Sequence, residues 1–226
     1  MIATSKLLPL GGLCLLAAAA WAYLLTAGMA LTMTSMTMSD GTTMAMPAEW
    51  TPFYVLRVFL MWSIMMVAMM LPSALPAAVV LSDAPSMVGF AAIYTAGWTG
   101  FAAAATLTQW LLSKQGLLSD GMSLNSRALA GGVLIAIGLY QLTPVFACDL
   151  ARCYNGKSYA TSCLRCCAPL MLLLFVVGIM SVAWWVALMI FAWSEKASAR
   201  GIWIARFGGS TLVLWGLLRI LAGTER

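Results

Sequence analysis

The chain has 226 residues, of which 63% are hydrophobic and only 8% are charged, and this balance excludes an ordinary soluble domain, in which roughly 25% of residues are charged. Its formal net charge of +5 is the balance of twelve Lys and Arg residues against seven Asp and Glu residues. The basic residues are scattered singly along the chain, so no basic stripe is present that could bind nucleic acid. Histidine is absent, which excludes haem and zinc sites held by imidazole and acid–base catalysis by histidine.

Six apolar stretches predict six membrane-spanning helices. They are roughly Leu7–Leu31, Phe53–Leu81, Val88–Leu112, Ala128–Ala147, Pro169–Trp193 and Trp203–Ala222. About 20 apolar residues are enough for one helical crossing, and only helices and closed barrels satisfy their backbone hydrogen bonds in lipid. The fold class that we predict is therefore all-α: a polytopic transmembrane helical bundle of about six helices, forming a single integral membrane domain over residues 1–226.

Loop charges predict an orientation for this bundle. The loop over 32–52 carries two acidic residues and no Lys or Arg, whereas the loop over 148–168 carries three basic residues. Because Lys and Arg concentrate in cytoplasmic loops, we expect the first loop outside and the second inside a bacterial cytoplasmic (inner) membrane, with both chain termini in the cytoplasm. Two connections with basic residues then fall outside: one holds Lys114 and Arg127, and the other holds Lys196 and Arg200.

Methionine is concentrated in a polar segment, over about 29–52, where it has no packing role. The thioether sulfur is a soft ligand that suits Cu(I), and unlike a thiol it does not form disulfides. The first candidate metal ligands are therefore Met33, Met36, Met38, Met44 and Met46. The alternative is that these side chains pack on a partner protein or lie on the bilayer surface.

A second group of methionines lies within the second predicted helix. Met61, Met65 and Met69 recur every four residues, so they share one helix face. This pattern looks like the Met-x-x-x-Met of copper uptake channels and makes Met65 and Met69 further candidate copper ligands. The alternative is a seam between helices, because Met is also a flexible apolar filler.

Five of the six cysteines fall within a predicted loop over about 148–168. They are Cys148, Cys153, Cys163, Cys166 and Cys167. The C-x-x-C spacing within this group is one at which two thiolates bind a single ion, and we expect all five residues to approach one another at one membrane face. Three interpretations stay open: a site for copper, zinc or an iron–sulfur cluster, a pair of disulfides if the loop lies outside, and unligated thiols.

Several motifs in this chain resemble one bacterial family. They are Ala68-Met69-Met70-Leu71-Pro72-Ser73, Gly138-Leu139-Tyr140-Gln141-Leu142-Thr143-Pro144, the pair Cys148 and Cys153, Cys166-Cys167, and Glu195-Lys196. The family is a domain-of-unknown-function family whose members are known as predicted metal-binding integral membrane proteins. The resemblance implies a metal-binding membrane protein. Family members carry a longer, basic, His-containing loop before the Cys-Cys pair, so a metal site that uses histidine is not implied here.

The function that we predict is the binding or delivery of Cu(I) through Met and Cys sulfur, with zinc or no metal as alternatives to copper. We expect no enzyme activity, because the chain has no nucleophile–base pair and no Gly-rich phosphate loop. All Asp and Glu residues fall in predicted loops or near helix ends, which disfavours proton-coupled transport, since such transporters bury an acid in the membrane.

The alternative function is that of an accessory subunit in a larger membrane complex, such as a copper-dependent monooxygenase or oxidase. Trp184 and Trp185 fall in the middle of the fifth predicted helix, whereas Trp is normally enriched at the membrane interface. Packing against partner helices or a bound lipid would explain this position. The predicted partners are therefore the lipid bilayer and other membrane protein subunits.

Overall fold

The chain folds into a helical bundle, as the computed structural model shows for residues 4–28, 33–37, 43–47, 49–80, 84–119, 122–152, 159–198 and 200–222. The helices within these residues are α1 (Thr4–Tyr23), α2 (Pro52–Val80), α3 (Ala84–Lys114), α4 (Arg127–Leu142), α5 (Pro144–Arg152), α6 (Tyr159–Met171), α7 (Leu174–Val177), α8 (Val182–Ala197) and α9 (Gly201–Leu221). The π-helical turn Leu24–Gly28 follows α1. This architecture confirms the all-α prediction, to which the structure adds a short hairpin of strands β1 (Met33–Thr37) and β2 (Thr43–Pro47).

Several of the described helices are long and apolar enough to cross a membrane, and the protein is a multi-pass membrane protein. Four helical spans qualify singly: Pro52–Ala74, Val88–Lys114, Tyr159–Val177 and Gly201–Leu221. Helices α4 and α5 qualify together as a fifth, bent by 62° at Thr143, because the residue before a proline is disfavoured in the helical conformation. The span that begins at Tyr159 includes three cysteines, so much of the predicted Cys-rich loop is in fact helix.

The prediction of one fifth helix over Pro169–Trp193 is wrong. Helix α6 ends at Met171, and α8 begins only at Val182. Between α7 and α8, Gly178 adopts a φ of 104°, a conformation that glycine reaches without the steric cost of a side chain. The surrounding residues are uniformly apolar, so hydropathy contains no sign of this break.

Helices α6–α7 and α8 form an antiparallel pair in place of that single helix. The Tyr159 hydroxyl donates to the carbonyl of Ser73 at 2.6 Å, and the ring of Phe175 stacks on Trp62 at 5.3 Å, so α6–α7 runs opposite to α2. Lys196, near the end of α8, returns to Ser73, where its ammonium lies 3.3 Å from the hydroxyl oxygen. The chain therefore makes two passes through the bundle where the sequence predicted one.

The bundle has a hairpin end and a cysteine end. The hairpin end is where α2 begins, next to the β1–β2 hairpin, and the cysteine end is where α2 ends and Cys163 lies. Lys196 Nζ is 2.9 Å from Cys163 Sγ, so the predicted placement of the Lys196 connection and the Cys-rich segment on opposite sides of the membrane is wrong. Helix α9 ends beside the start of α4, because Arg127 donates to the Ala222 carbonyl at 3.1 Å.

The tryptophan pair of the fifth predicted helix occupies a different position from the one expected. Trp184 and Trp185 lie in the first turn of α8 rather than at mid-helix. Trp185 is buried and donates its indole N–H to the Ile179 carbonyl at 2.7 Å, while the half-exposed Trp184 stacks on Trp215 of α9 at 6.0 Å. Both rings thus have partners inside the chain itself.

Candidate metal centre

Three cysteines of α6 lie side by side in the interior at the cysteine end. Cys163, Cys166 and Cys167 are each at most 1% exposed and are free thiols. Their i, i+3 and i+4 spacing places them on one side of the helix. Cys166 Sγ is 3.7 Å from Cys167 Sγ, and the Cys166 thiol donates to the Cys163 carbonyl at 3.4 Å. We call these three residues the thiol cluster.

Lys196 reaches the thiol cluster from α8. Its ammonium nitrogen lies 2.9 Å from Cys163 Sγ and 3.3 Å from Ser73 Oγ, and it sits 5.7 Å from the centre of the Tyr159 ring, whose face attracts cations. A thiolate in an apolar interior requires a nearby positive charge. The ammonium of Lys196 provides that charge next to Cys163.

Helices α2 and α3 complete the surroundings of Cys163. The Tyr94 hydroxyl of α3 donates to the Met70 carbonyl at 2.9 Å and lies 3.3 Å from Cys163 Sγ. On α2, the Ser73 hydroxyl also donates to the Met70 carbonyl, at 2.8 Å. Four helices thus meet around Cys163, which belongs to α6. Tyr94 of α3 and Lys196 of α8 contact its sulfur, and Ser73 of α2 contacts Lys196.

The spacing of the sulfurs shows how an ion could be held. Consider two sulfurs that bind one ion, each at about 2.3 Å. The sulfurs are then roughly 3.8 Å apart if the sulfur–ion–sulfur angle is tetrahedral and about 4.6 Å apart if it is linear. The 3.7 Å between Cys166 and Cys167 matches the tetrahedral value, so an ion there would take further ligands. Among the residues that the structure describes, no three His, Cys, Asp or Glu side chains are placed to hold one ion together. Cys163 is turned toward Lys196 instead.

Of the two remaining predicted cysteine ligands, only Cys148 lies within the described residues. Cys148 is exposed on α5, whereas the three sulfurs of α6 are buried. Cys153 lies outside the described residues. The structure therefore brings together three of the five cysteines that the sequence predicted to approach one another.

The methionines of α2 lie in the core of the bundle. Met65 and Met69 are fully buried, as are their neighbours Met61, Met66 and Met70, none of which is more than 1% exposed. This burial on adjoining faces is what a seam between helices requires, because unbranched Met side chains fill irregular gaps. The burial of Met65 and Met69 fits the predicted seam between helices, and their role as copper ligands stays a prediction.

The Met-rich segment forms an antiparallel hairpin rather than an irregular loop. The register pairs Met36 with Met44 and Thr34 with Met46. Because paired residues share a face and residues two apart on a strand share a face, Met36, Met44 and Met46 fall on one face of the hairpin. Met33, paired with Pro47, falls on the other. Met38 lies outside the described residues.

Two acids that the sequence placed near helix ends are buried inside the bundle. Glu195 is fully buried and accepts a 3.1 Å hydrogen bond from Gln141 Nε2 of α4. Asp149 is 2% exposed and lies 3.9 Å from the exposed guanidinium of Arg165. In the sequence, a sign of the buried Glu195 was Gln141, a single glutamine in an apolar stretch. An amide that is buried in an apolar helix needs a polar partner.

The amino-acid sequence of the chain matches a known protein family. Two stretches of the chain, 59–159 and 150–219, match the family PpoB2, which is described as a copper chaperone. The chain belongs to this copper chaperone family. The matched stretches cover more than half of the chain and include the thiol cluster and Lys196, and they begin after the Met-rich hairpin. The function of this membrane protein is therefore related to copper. No curated protein and no solved structure matches the chain significantly.

Proposed function

We propose that the protein holds Cu(I) at the thiol cluster and delivers it to another protein. The observation that carries this proposal is the group of three free thiols buried side by side on α6. Thiolate is a soft ligand that suits Cu(I), and the cluster lies within the part of the chain that matches the copper chaperone family. The resemblance to predicted metal-binding integral membrane proteins points to the same type of function.

Lys196 has a specific part in this proposal. In the metal-free protein its ammonium supplies a single positive charge 2.9 Å from Cys163 Sγ. A Cu(I) ion that binds the sulfurs displaces the thiol protons, which leave to the solvent, and it carries the same charge as the ammonium. The ion therefore takes over the electrostatic role of the ammonium. Lys196 then turns toward Ser73 and the ring of Tyr159, which it already contacts, and the third sulfur becomes available to the ion.

We further propose that the cysteine end faces the cytoplasm of a bacterial cell and the hairpin end faces outward. The connection with Lys196 and Arg200 lies at the same end as the basic segment 148–168. Basic residues in the connections are therefore concentrated at the cysteine end, which favours a cytoplasmic location for it. The Met-rich hairpin then captures copper outside, and the thiol cluster holds it on the inner side.

A delivery function requires an acceptor, and we propose that the acceptor is another membrane protein subunit rather than a substrate of this chain. We propose that the ion is transferred without enzymatic chemistry. Zinc is the competing cargo, since thiolates bind it as well. An accessory role without metal is the competing function.

Competition with a coloured chelator tests the proposal. The full chain in detergent should withdraw Cu(I) from the chelator. A variant with Cys163→Ala, Cys166→Ala and Cys167→Ala should lose this tight binding and keep only the weaker binding of the methionines. Cys14→Ala is the matched control, because Cys14 is exposed on α1 and should leave binding unchanged. If the triple variant keeps the affinity of the parent protein, the thiol cluster is not the site, and stronger competition for Zn(II) than for Cu(I) would identify zinc as the cargo.

A further inference from the structure

A second feature suited to a soft cation lies at the hairpin end, apart from the thiol cluster. It is a cavity of about 110 Å³, whose lining includes Trp50, Tyr54, Gln109, Ser113, Ser119 and Met122. One water molecule needs only about 10–15 Å³ on this scale. The cavity therefore has room for an ion and several water molecules.

The sulfur of Met122 is fixed at this cavity by a buried amide. Trp62 donates its indole N–H to Gln109 Oε1 at 2.8 Å. Because an indole N–H can only donate, the oxygen of Gln109 must face Trp62, and its NH₂ group then faces Met122 Sδ at 3.0 Å. Gln109 is 1% exposed, so this arrangement is held inside the bundle. The hydrogen bond uses one lone pair of the thioether and leaves the other for a ligand.

The backbone of Met122 is held in an unusual conformation. Its φ is 54°, and in the described part of the chain it is the sole non-glycine residue with a positive φ. Its N–H donates to the Ser119 carbonyl at 2.8 Å, and the Ser119 and Ser123 hydroxyls are 2.8 Å apart. Left-handed conformations at residues other than glycine occur where the surroundings enforce them, commonly at binding sites. Here the enforced turn presents a thioether to a polar cavity.

We propose that this cavity is an entry site for Cu(I), with Met122 Sδ as a ligand. The rings of Trp50 and Tyr54 meet edge to face, 5.1 Å between centres, and aromatic faces attract cations. Strand β2 ends at Pro47, three residues before Trp50. Three residues span at most about 11 Å, so the Met-rich hairpin is tethered beside the cavity. The choice of copper rests on the proposed function, whereas the site itself rests on the cavity, Gln109 and Met122.

The test uses the full chain in detergent micelles, labelled with ¹³C at the methionine methyl groups, and Ag(I) as a redox-inert substitute for Cu(I). Met122→Leu identifies the Met122 resonance, and Met189→Leu is the control, because Met189 lies at another cavity with Pro72 and Ser73. We expect the Met122 resonance to shift with about one equivalent of Ag(I) beyond the amount that the thiol cluster takes up. Met122→Leu, but not Met189→Leu, should weaken Ag(I) binding by about tenfold at this site. A Met122 resonance that does not move, or moves only with a large excess of Ag(I), overturns the inference.

The same experiment separates this inference from the proposed function. In the variant with Cys163→Ala, Cys166→Ala and Cys167→Ala, the Met122 resonance should still shift with Ag(I). If it shifts while the parent protein fails to hold Cu(I) at the thiols, the proposed function fails and the entry site stands. If the thiols bind and the Met122 resonance is unaffected, the entry site fails alone.

Discussion

Replacing Gly138 by alanine should loosen the packing of α4 on α9, and replacing Gly132 in the same helix should not. A Cβ on Gly138 would lie 2.5 Å from the carbonyl oxygen of Gly209 and 3.0 Å from the amide nitrogen of Val213. A Cβ on Gly132 would meet no atom within 4 Å. Both obstructing atoms belong to the backbone of α9, so no side-chain rotation relieves the clash. The two helices must move apart.

The size of the effect follows from these distances. A carbon and an oxygen in normal contact are about 3.3–3.6 Å apart, so the helices must separate by roughly 1 Å at this point. A gap of about 0.5–1 Å removes a quarter to a half of the attraction between the atoms on either side, and overpacking of this kind costs about 1–3 kcal/mol. The gain of about 1 kcal/mol in helix propensity from Gly to Ala applies to both variants. The two should therefore differ in free energy of unfolding by about 1–3 kcal/mol.

Thermal unfolding of both variants in one detergent measures this difference. Gly138→Ala should unfold at a lower temperature than Gly132→Ala. Gly216→Ala should behave like Gly138→Ala, because its Cβ would lie 2.7 Å from the Gly131 carbonyl oxygen. If Gly138→Ala is as stable as Gly132→Ala, the close approach of α4 and α9 is not the contact that holds them together.

Three further changes test other parts of the structure. Lys196→Met removes the charged hydrogen bonds to Cys163 and Ser73 and should lower the free energy of unfolding by about 1.5–3 kcal/mol. Arg200→Met, at an exposed position, should change it little, and equal unfolding midpoints for the two variants would contradict the pairing of Lys196 with Cys163. Trp62→Phe leaves the buried oxygen of Gln109 without its donor and should lower the free energy of unfolding by about 1–3 kcal/mol. An unchanged unfolding midpoint in the same thermal assay would count against that hydrogen bond. An engineered Thr42→Cys in a cysteine-free background should react with an impermeant label on intact spheroplasts, and labelling only after permeabilisation would reverse the proposed orientation.

The sequence was sufficient to predict that this chain is an all-helical membrane bundle. A chain segment that crosses the lipid as a helix must be long and apolar, and the hydropathy of the sequence measures this property directly. The spacing of Cys163, Cys166 and Cys167 also predicted that they approach one another, but as part of a loop. In the structure it is helix α6 that groups them, because residues three and four apart in a helix share a side.

The tertiary structure alone decided which distant residues meet. Lys196 looked like an ordinary charge at a helix end, and its position beside Cys163 follows from the break at Gly178, which returns α8 to the cysteine end. The burial of Glu195 depends likewise on the packing of α8 against Gln141. The break occurs among uniformly apolar residues, and in such a segment the energy of lipid burial is nearly the same for one long helix as for two short ones. Contacts between helices, which hydropathy does not report, select between them.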